Sequence, residues 1–236
     1  MNQNGKLYLI PAPLGEGDFN KIFPPFNIEL INSIDEFIVE DLRSARRFLR
    51  KAGFIKDFND VSFHILNEHT DERNISDYLN SNLNGKDTGL LSEAGLPCIA
   101  DPGASLVKLA HKKNIRVIPL TGPSSIFLAL MASGFNGQSF AFRGYLPIEK
   151  KAREKQIKQL ENDVYKKDQT QIFIETPYRN MRLFDALIKI CSAESMLCIA
   201  CDVSLETEFI STLSIKEWRN GLPELNKRPA VFLLYK

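Results

Sequence analysis

The chain has 236 residues, 44% hydrophobic and 25% charged, which is ordinary for a globular protein of one large domain or two small ones. Thirty basic and 29 acidic residues leave a formal net charge of +1, so an anionic partner must be held by a local patch and not by a global field. No apolar run approaches the roughly 18 residues of a membrane-spanning helix, and no apolar signal segment precedes the first strand, so the expected location is cytoplasmic, without membrane attachment.

In chain order, Lys6–Ile10 reads as a strand that runs into the Gly/Pro loop Pro11 to Asp18. Glu36 to Glu40 is a second strand, followed by Asp41-Leu-Arg43. Ser44 is the expected cap of a helix that carries Arg46, Arg47 and Arg50 and stops at Gly53. Ser62 to Leu66 is a third strand, and Asn74 opens a helix with Ile75, Tyr78, Leu79 and Leu83 at helical spacing. A strand ending at Leu91 enters the long loop Ser92 to Gly103 and then a helix to Lys113-Asn114. Ile115 to Pro119 leads to a third Gly/Pro loop, Leu120-Thr-Gly-Pro-Ser-Ser125, and a small apolar helix to Ser133. Five strand-to-helix units predict a parallel sheet flanked by helices.

After Gly134-Phe-Asn-Gly-Gln138 the character changes. A short strand (Phe140 to Phe142), a charged helix (Lys150 to Asn162), a strand (Gln171 to Glu175) and a helix (Tyr178 to Cys191) precede three consecutive strands at 196–201, 208–212 and 230–234. Consecutive strands imply antiparallel pairing, so the expectation is two α/β domains, 1–137 with a mainly parallel sheet and 138–236 with a mixed one.

Cys198-Ile-Ala-Cys201 lies inside a buried-strand pattern, where positions i and i+3 face opposite ways. No second pair completes a metal site, and His64, His69 and His111 are scattered, so no metal is expected. Gly15-Glu-Gly17 lacks the third glycine of a dinucleotide fingerprint, and no P-loop or GxSxG elbow occurs. Three strand-loop-helix turns nevertheless share one design, and in a parallel sheet all three lie at the carboxyl edge, where such sheets bind ligands. A lining of backbone and small side chains suits a nucleoside-like molecule.

Five blocks then occur in order: Leu7-Tyr-Leu-Ile-Pro-Ala-Pro-Leu-Gly15, Val39-Glu-Asp-Leu-Arg43, Leu91-Ser-Glu-Ala-Gly-Leu-Pro-Cys-Ile-Ala-Asp-Pro-Gly103, Val117-Ile-Pro-Leu-Thr-Gly-Pro-Ser-Ser125 and Phe173-Ile-Glu-Thr-Pro-Tyr-Arg179. Across nearly its whole length the chain resembles the tetrapyrrole methylase superfamily, and within it the small-subunit ribosomal RNA 2′-O-ribose methyltransferase branch. The resemblance implies S-adenosyl-L-methionine bound in a cleft between two α/β domains, a homodimer, and ribosomal RNA as substrate. It assigns Leu14 and Gly15 to a loop over the cofactor. Glu93, Gly95, Leu96, Ile99 and Ala100 fall on its methionine and ribose side, and Thr121, Gly122, Ser125 and Ile126 on its adenosine side. Tyr178, in the Glu175 to Arg179 turn, contributes from the second domain. The chain departs from the branch where Thr-Pro-Ile-Gly-Asn-Leu is replaced by Ala12-Pro-Leu-Gly-Glu-Gly17, where Leu42 replaces a Thr, and where Glu93 and Leu96 replace Asp and Thr. Cys201-Asp-Val-Ser-Leu205 stands in place of Arg-Glu-Leu-Thr-Lys.

Methyl transfer to a hydroxyl needs alignment and a group that takes the proton. Glu40 and Asp41 are the candidates, with Arg43 binding phosphate or orienting a carboxylate; the other reading of Asp41 and Arg43 is a structural pair capping the next helix. Glu16 and Asp18 read as solvated loop residues. Arg43, Arg46, Arg47, Arg50 and Lys51 recur at helical spacing, either as phosphate contacts or as a solvated face. A tetrapyrrole-type small-molecule methyltransferase and a catalytically silent cofactor-binding module are the alternative functions.

Overall fold

The structure, a computed structural model, describes residues 4–17, 19–67, 69–71 and 74–236. Asp18, at the end of the first loop, lies outside the described residues. The chain forms two compact units that divide between Ser124 and Ser125, ahead of the expected 137/138 boundary.

The first unit contains β1 (Lys6–Ile10), α1 (Phe19–Ile22), α2 (Pro25–Ser33), β2 (Glu36–Val39), α3 (Leu42–Lys51), β3 (Ser62–Ile65), α4 (Asn80–Leu83), β4 (Thr88–Leu91), α5 (Ala104–Lys112) and β5 (Arg116–Pro119), with 3-10 turns at Phe58–Asp60 and Asp77–Leu79. The sheet is parallel throughout, in the order β3-β2-β4-β1-β5. Alternation along each strand feeds two cores. Tyr8, Ile10, Phe37, Val39 and Leu91 pack with Ile31 of α2 and Leu49 of α3. Leu7, Ile38 and Leu90 pack with Leu79, and with Leu106 and Ala110 of α5. Helices therefore cover both faces, as the near-continuous apolar strands require.

Three local expectations change. The residue that caps α3 is Asp41, whose carboxylate accepts from the Ser44 N–H at 2.8 Å, so the helix starts at Leu42 and not after Ser44. The stretch after Asn74 is a 3-10 turn running into the single turn of α4; Ile75 and Leu79 reach the core while Leu83 stays exposed. α1 and α2, between the first loop and β2, have no counterpart in the predicted elements; Pro25 at the first position of α2 is the start signal that marks the latter.

The second unit contains α6 (Ser125–Ser133), β6 (Phe140–Tyr145), α7 (Lys150–Lys167), β7 (Thr170–Glu175), α8 (Asn180–Ile190), β8 (Met196–Cys201), β9 (Phe209–Ser214), α9 (Ile215–Trp218) and β10 (Ala230–Tyr235). Its sheet runs β6-β7-β10-β8-β9, with β6 and β7 parallel and the other pairs antiparallel. Phe173, Leu197, Ile199 and Phe232 pack with α7, α8 and Trp218 in one core. α6 lies on β8, β9 and β10 and ties to the sheet where Thr212 Oγ1 donates to the Ser133 carbonyl at 2.9 Å; this is why it belongs to the second unit. α7 runs on to Lys167 and ends where Asp168 turns left-handed at φ 51°. The single turn of α9 is closed by a Ser214/Glu217 capping box, an S-x-x-E signal readable in the sequence.

Cys198 and Cys201 are both buried in β8 with free thiols, and only Cys201 joins the α7–α8 core. Burial pushes the Cys201 thiol up to about 11. Among the described residues no three His, Cys, Asp or Glu gather as a metal site, and no helix is long and apolar enough to cross a membrane.

Candidate active site at the carboxyl edge of the first sheet

Because β4 is inserted between β2 and β1, the loops that follow β2, β4, β1 and β5 stand in one row. The connections leaving β2 and β4 run over opposite faces of the sheet, since α3 packs in one core and α5 in the other. Diverging connections open a crevice at the carboxyl ends of those two strands.

The first and second Gly/Pro loops are pinned together by their backbones, and the third packs on the first. Ala12 and Gly95 exchange N–H···O bonds of 2.9 Å in both directions, which joins the first loop to the second. Gly95 adopts φ +71°, and a Cβ there would meet Leu14 Cδ2 at 3.2 Å. In the third loop, a Cβ on Gly122 would lie 2.2 Å from Pro11 Cγ, so only glycine lets the first and third loops approach this closely. Asn27 of α2, buried, donates to the Thr121 carbonyl at 2.9 Å and fixes that loop from below.

The second loop is strained. Cys98 and Ala100 hold φ of 67° and 58°, a left-handed conformation that costs non-glycine residues about 1–3 kcal/mol each. Its outer surface is apolar: Ile99 is 47% exposed, Leu96 is half-buried, and Ala100 is exposed and makes no hydrogen bond among the described residues.

Around the β2/β4 crevice a small cavity of about 20 Å³ is lined by Glu40, Ser44, Ser92 and Glu93 among others. Four carboxyls meet its walls or lie beside it. Asp41 is engaged in the α3 cap, accepting also from Ser44 Oγ at 3.0 Å, and that bonding holds its carboxyl below the usual range. Ser44 Oγ also bonds the Glu93 carboxylate. Asp101, which closes the second loop, accepts from Ser92 Oγ at 2.8 Å and hydrogen-bonds with Glu40. Burial is the main cause that raises the Asp101 carboxyl, and nearby Glu93 adds to it, against the lowering by Ser92 and Glu40.

The predicted residues divide accordingly. Glu40, Asp41, Arg43, Leu14, Gly15, Glu93, Gly95, Leu96, Ile99, Ala100, Thr121 and Gly122 all belong to the carboxyl-edge loops of the first unit or to the first turn of α3. Ser125 and Ile126 open α6 in the second unit, with Ile126 buried, and Tyr178, 78% exposed, stands in the turn after β7 of that unit. Sequence reasoning missed Ser44, Ser92 and Asp101 as parts of the site. The Asp-Pro-Gly step carrying Asp101 was a visible turn signal, but its partner sits on another strand.

The basic residues of α3 form two stripes, not one face. Arg46 lies over the Phe58 and Phe63 rings at 5.4 and 5.3 Å. Arg50 lies over Phe58 at 4.1 Å and donates to the Phe54 carbonyl at 2.7 Å. These two guanidiniums hold the 3-10 turn and β3 against α3. Arg43, Arg47 and Lys51, at i, i+4 and i+8, form the other stripe; Arg47 and Lys51 line a cavity with the first loop, where Lys51 pairs with Glu16. Glu16, expected to be a solvated loop residue, is thus ion-paired, and the Lys51 hydrogen bond holds its carboxyl below the usual range.

No protein-family model matches the chain. Over 223 residues it is 30% identical to the ribosomal RNA small subunit methyltransferase I of Vibrio cholerae, across 94% of this chain and 73% of that protein. Among solved structures it superposes on the methyltransferase CobJ with a TM-score of 0.65 at 16% identity, covering 98% of this chain and 94% of that one. It also superposes on uroporphyrin-III C-methyl transferase from Thermus thermophilus, complexed with S-adenosyl homocysteine, with a TM-score of 0.59 at 13% identity and 98% of both chains covered. These two likenesses establish the fold.

Proposed function

Because the chain belongs to the ribosomal RNA small subunit methyltransferase I family of the tetrapyrrole methylase superfamily, we propose that it transfers a methyl group from S-adenosyl-L-methionine to a ribose 2′-hydroxyl of small-subunit ribosomal RNA. The observation that carries the reading is the row of loops at the β2/β4 crevice, two of them joined by the Ala12–Gly95 backbone pair, with Glu40 on the crevice wall hydrogen-bonded to Asp101.

The loops fit the cofactor's chemistry. Leu96, Ile99 and Ala100 offer an apolar wall for the methylene chain of the methionine moiety, and Glu93 offers a carboxylate to hydroxyl or ammonium groups. Gly95 and Gly122 let Leu14 and Pro11 of the first loop close onto the second and third loops, which holds the loops as one wall. Leu14 and Gly15 would cover the ligand, and Thr121 and Gly122 would hold its adenosine side. When bound, the cofactor supplies an electrophilic methyl group on a sulfonium.

The chain's own work is alignment and proton removal. Holding two reactants in line can supply roughly 7–11 kcal/mol of the barrier. Glu40 takes the acceptor proton, and Asp101, anchored by Ser92, fixes the orientation of the Glu40 carboxyl. Asp41 serves as the cap that positions Ser44, and through it Glu93. Arg43 meets phosphate. The homodimer and the cytoplasmic location belong to the same proposal, and light scattering of the purified protein tests the former.

The deciding experiment joins calorimetric titration with S-adenosyl-L-methionine to transfer of tritiated methyl into small ribosomal subunits from cells that lack the activity. Micromolar binding and label in the subunit RNA are expected. Binding without label moves the acceptor to a small molecule or makes the chain a silent binder; absence of binding overturns the cofactor assignment.

A further inference from the structure

Next to the crevice, and sharing Ser44, Phe48 and Glu93 with it, the first unit carries a second cavity of about 180 Å³. Its walls include Glu16, Phe19, Arg47, Phe48 and Lys51. The volume is below the roughly 300–1,000 Å³ of a pocket for a drug-sized ligand, so it suits a fragment the size of one base and not a whole cofactor.

The chemistry of the walls narrows the fragment. The Phe19 and Phe48 rings meet at 5.6 Å and 45°, and Phe48 also packs edge-on against Phe23, so the pair is braced from the core side. Both are half-buried, and both line the cavity. Arg47 is exposed and makes no hydrogen bond or ion pair among the described residues, although it is close enough to help lower the Glu16 carboxyl. Lys51 reaches the rim through its pair with Glu16, whose side chain is 79% exposed, a contact that solvent and an incoming anion can readily exchange. Aromatic faces beside a free guanidinium are what proteins present to an unstacked base and its phosphate.

We propose that this cavity receives one unstacked nucleotide of the RNA at the methylated site, its base against Phe19 and Phe48 and its phosphate on Arg47, with Lys51 leaving Glu16 to make a second phosphate contact. The inference rests on the RNA reading above. It also accounts for the division of α3: Arg46 and Arg50 hold the fold, and Arg47 and Lys51 face the ligand.

The test measures methyl transfer into small ribosomal subunits by Arg47→Gln, Phe48→Leu and Arg50→Gln variants over a range of salt, with cofactor affinity by calorimetry and folding by thermal melts. R47Q is expected to raise the KM for subunits about tenfold and to reduce the slope of log affinity against log salt by about one. F48L keeps an apolar side chain for the core and is expected to raise KM by about five- to tenfold with the salt slope unchanged. R50Q is expected to lower Tm without moving the salt slope, and all three bind S-adenosyl-L-methionine as the parent does. Wild-type KM and slope in both R47Q and F48L overturn the inference while the RNA reading stands. Tenfold weaker cofactor binding in those variants, with KM for subunits unmoved, also overturns it and gives the cavity to the cofactor. A parent protein that binds cofactor but labels no RNA overturns both together.

Discussion

At the residue scale the Asp101 carboxyl stands out, because burial raises its pKa while hydrogen bonds lower those of Glu16 and Asp41. A carboxyl whose folded pKa lies above its unfolded value binds protons more tightly in the native state. Stability is then highest below the unfolded value, near 3.9, and is lost as pH rises from there through the raised folded value. Asp101→Asn is therefore expected to raise Tm at pH 7 relative to the parent, with the gap closing toward pH 4; melting curves across that range check it. The same variant is expected to lower methyl transfer at least tenfold, since the amide no longer orients the Glu40 carboxyl as the carboxyl of Asp101 does. Asp41 behaves in the opposite sense. Its lowered pKa gives stability that is present above about pH 4 and lost as pH falls through the folded value. Asp41→Ala removes the cap of α3 and is expected to drop Tm by roughly 2–4 °C at neutral pH, with a smaller drop in acid. Gly122→Ala tests the loop packing: with Pro11 Cγ only 2.2 Å from the new Cβ, the first and third loops must part, and cofactor affinity measured by calorimetry is expected to fall at least tenfold.

At the scale of elements, α3 shows how one helix serves two purposes. Ala45 and Leu49 anchor it in the core, and a Leu49→Ala change, at a fully buried position, is expected to cost about 2–5 kcal/mol in denaturant unfolding. Arg46 and Arg50 fasten its outer side to Phe58 and Phe63. Arg50→Gln loses one cation–π contact and one charged hydrogen bond, and is expected to cost about 1–2 kcal/mol by the same measurement. The remaining stripe, Arg43, Arg47 and Lys51, is left for solvent and ligand. α6 makes a similar point for the other unit: its sequence reads as the last helix of the parallel series, yet it packs on β8, β9 and β10. A helix pattern states which side is apolar, not which sheet will cover it.

At the scale of the whole molecule, a net charge of +1 gives no long-range pull on a polyanion. Affinity for ribosomal RNA is therefore expected to depend on salt only through local phosphate contacts. With Arg43, Arg47 and Lys51 as those contacts, the slope of log K against log salt is expected at about −2 to −3, within the −0.7 to −0.9 per phosphate typical of nucleic-acid binding. A filter-binding series from low to moderate salt measures it, and a slope near −6 or steeper would show a basic surface well beyond α3.

Much of this protein was legible in its sequence. Period-two and unbroken apolar runs marked the ten strands of the described residues, and the Gly/Pro punctuation marked the three loops of the site, because both follow from backbone sterics and alternation that act within a few residues. The five blocks in order carried the family. The parallel first sheet and the mixed second one followed from the spacing of the connections. What only the tertiary structure decided was adjacency. β4 lies between β2 and β1, and that placement brings Asp101 to Glu40, Glu93 to Ser44 and Gly95 to Ala12. None of these pairs has a local signature, because a hydrogen bond across neighbouring strands depends on sheet order, which many distant apolar contacts settle jointly. The two stripes of α3 were hidden for the same reason. Five basic residues at helical spacing look alike until Phe58, Phe63 and Glu16 arrive from elsewhere in the chain to claim some of them.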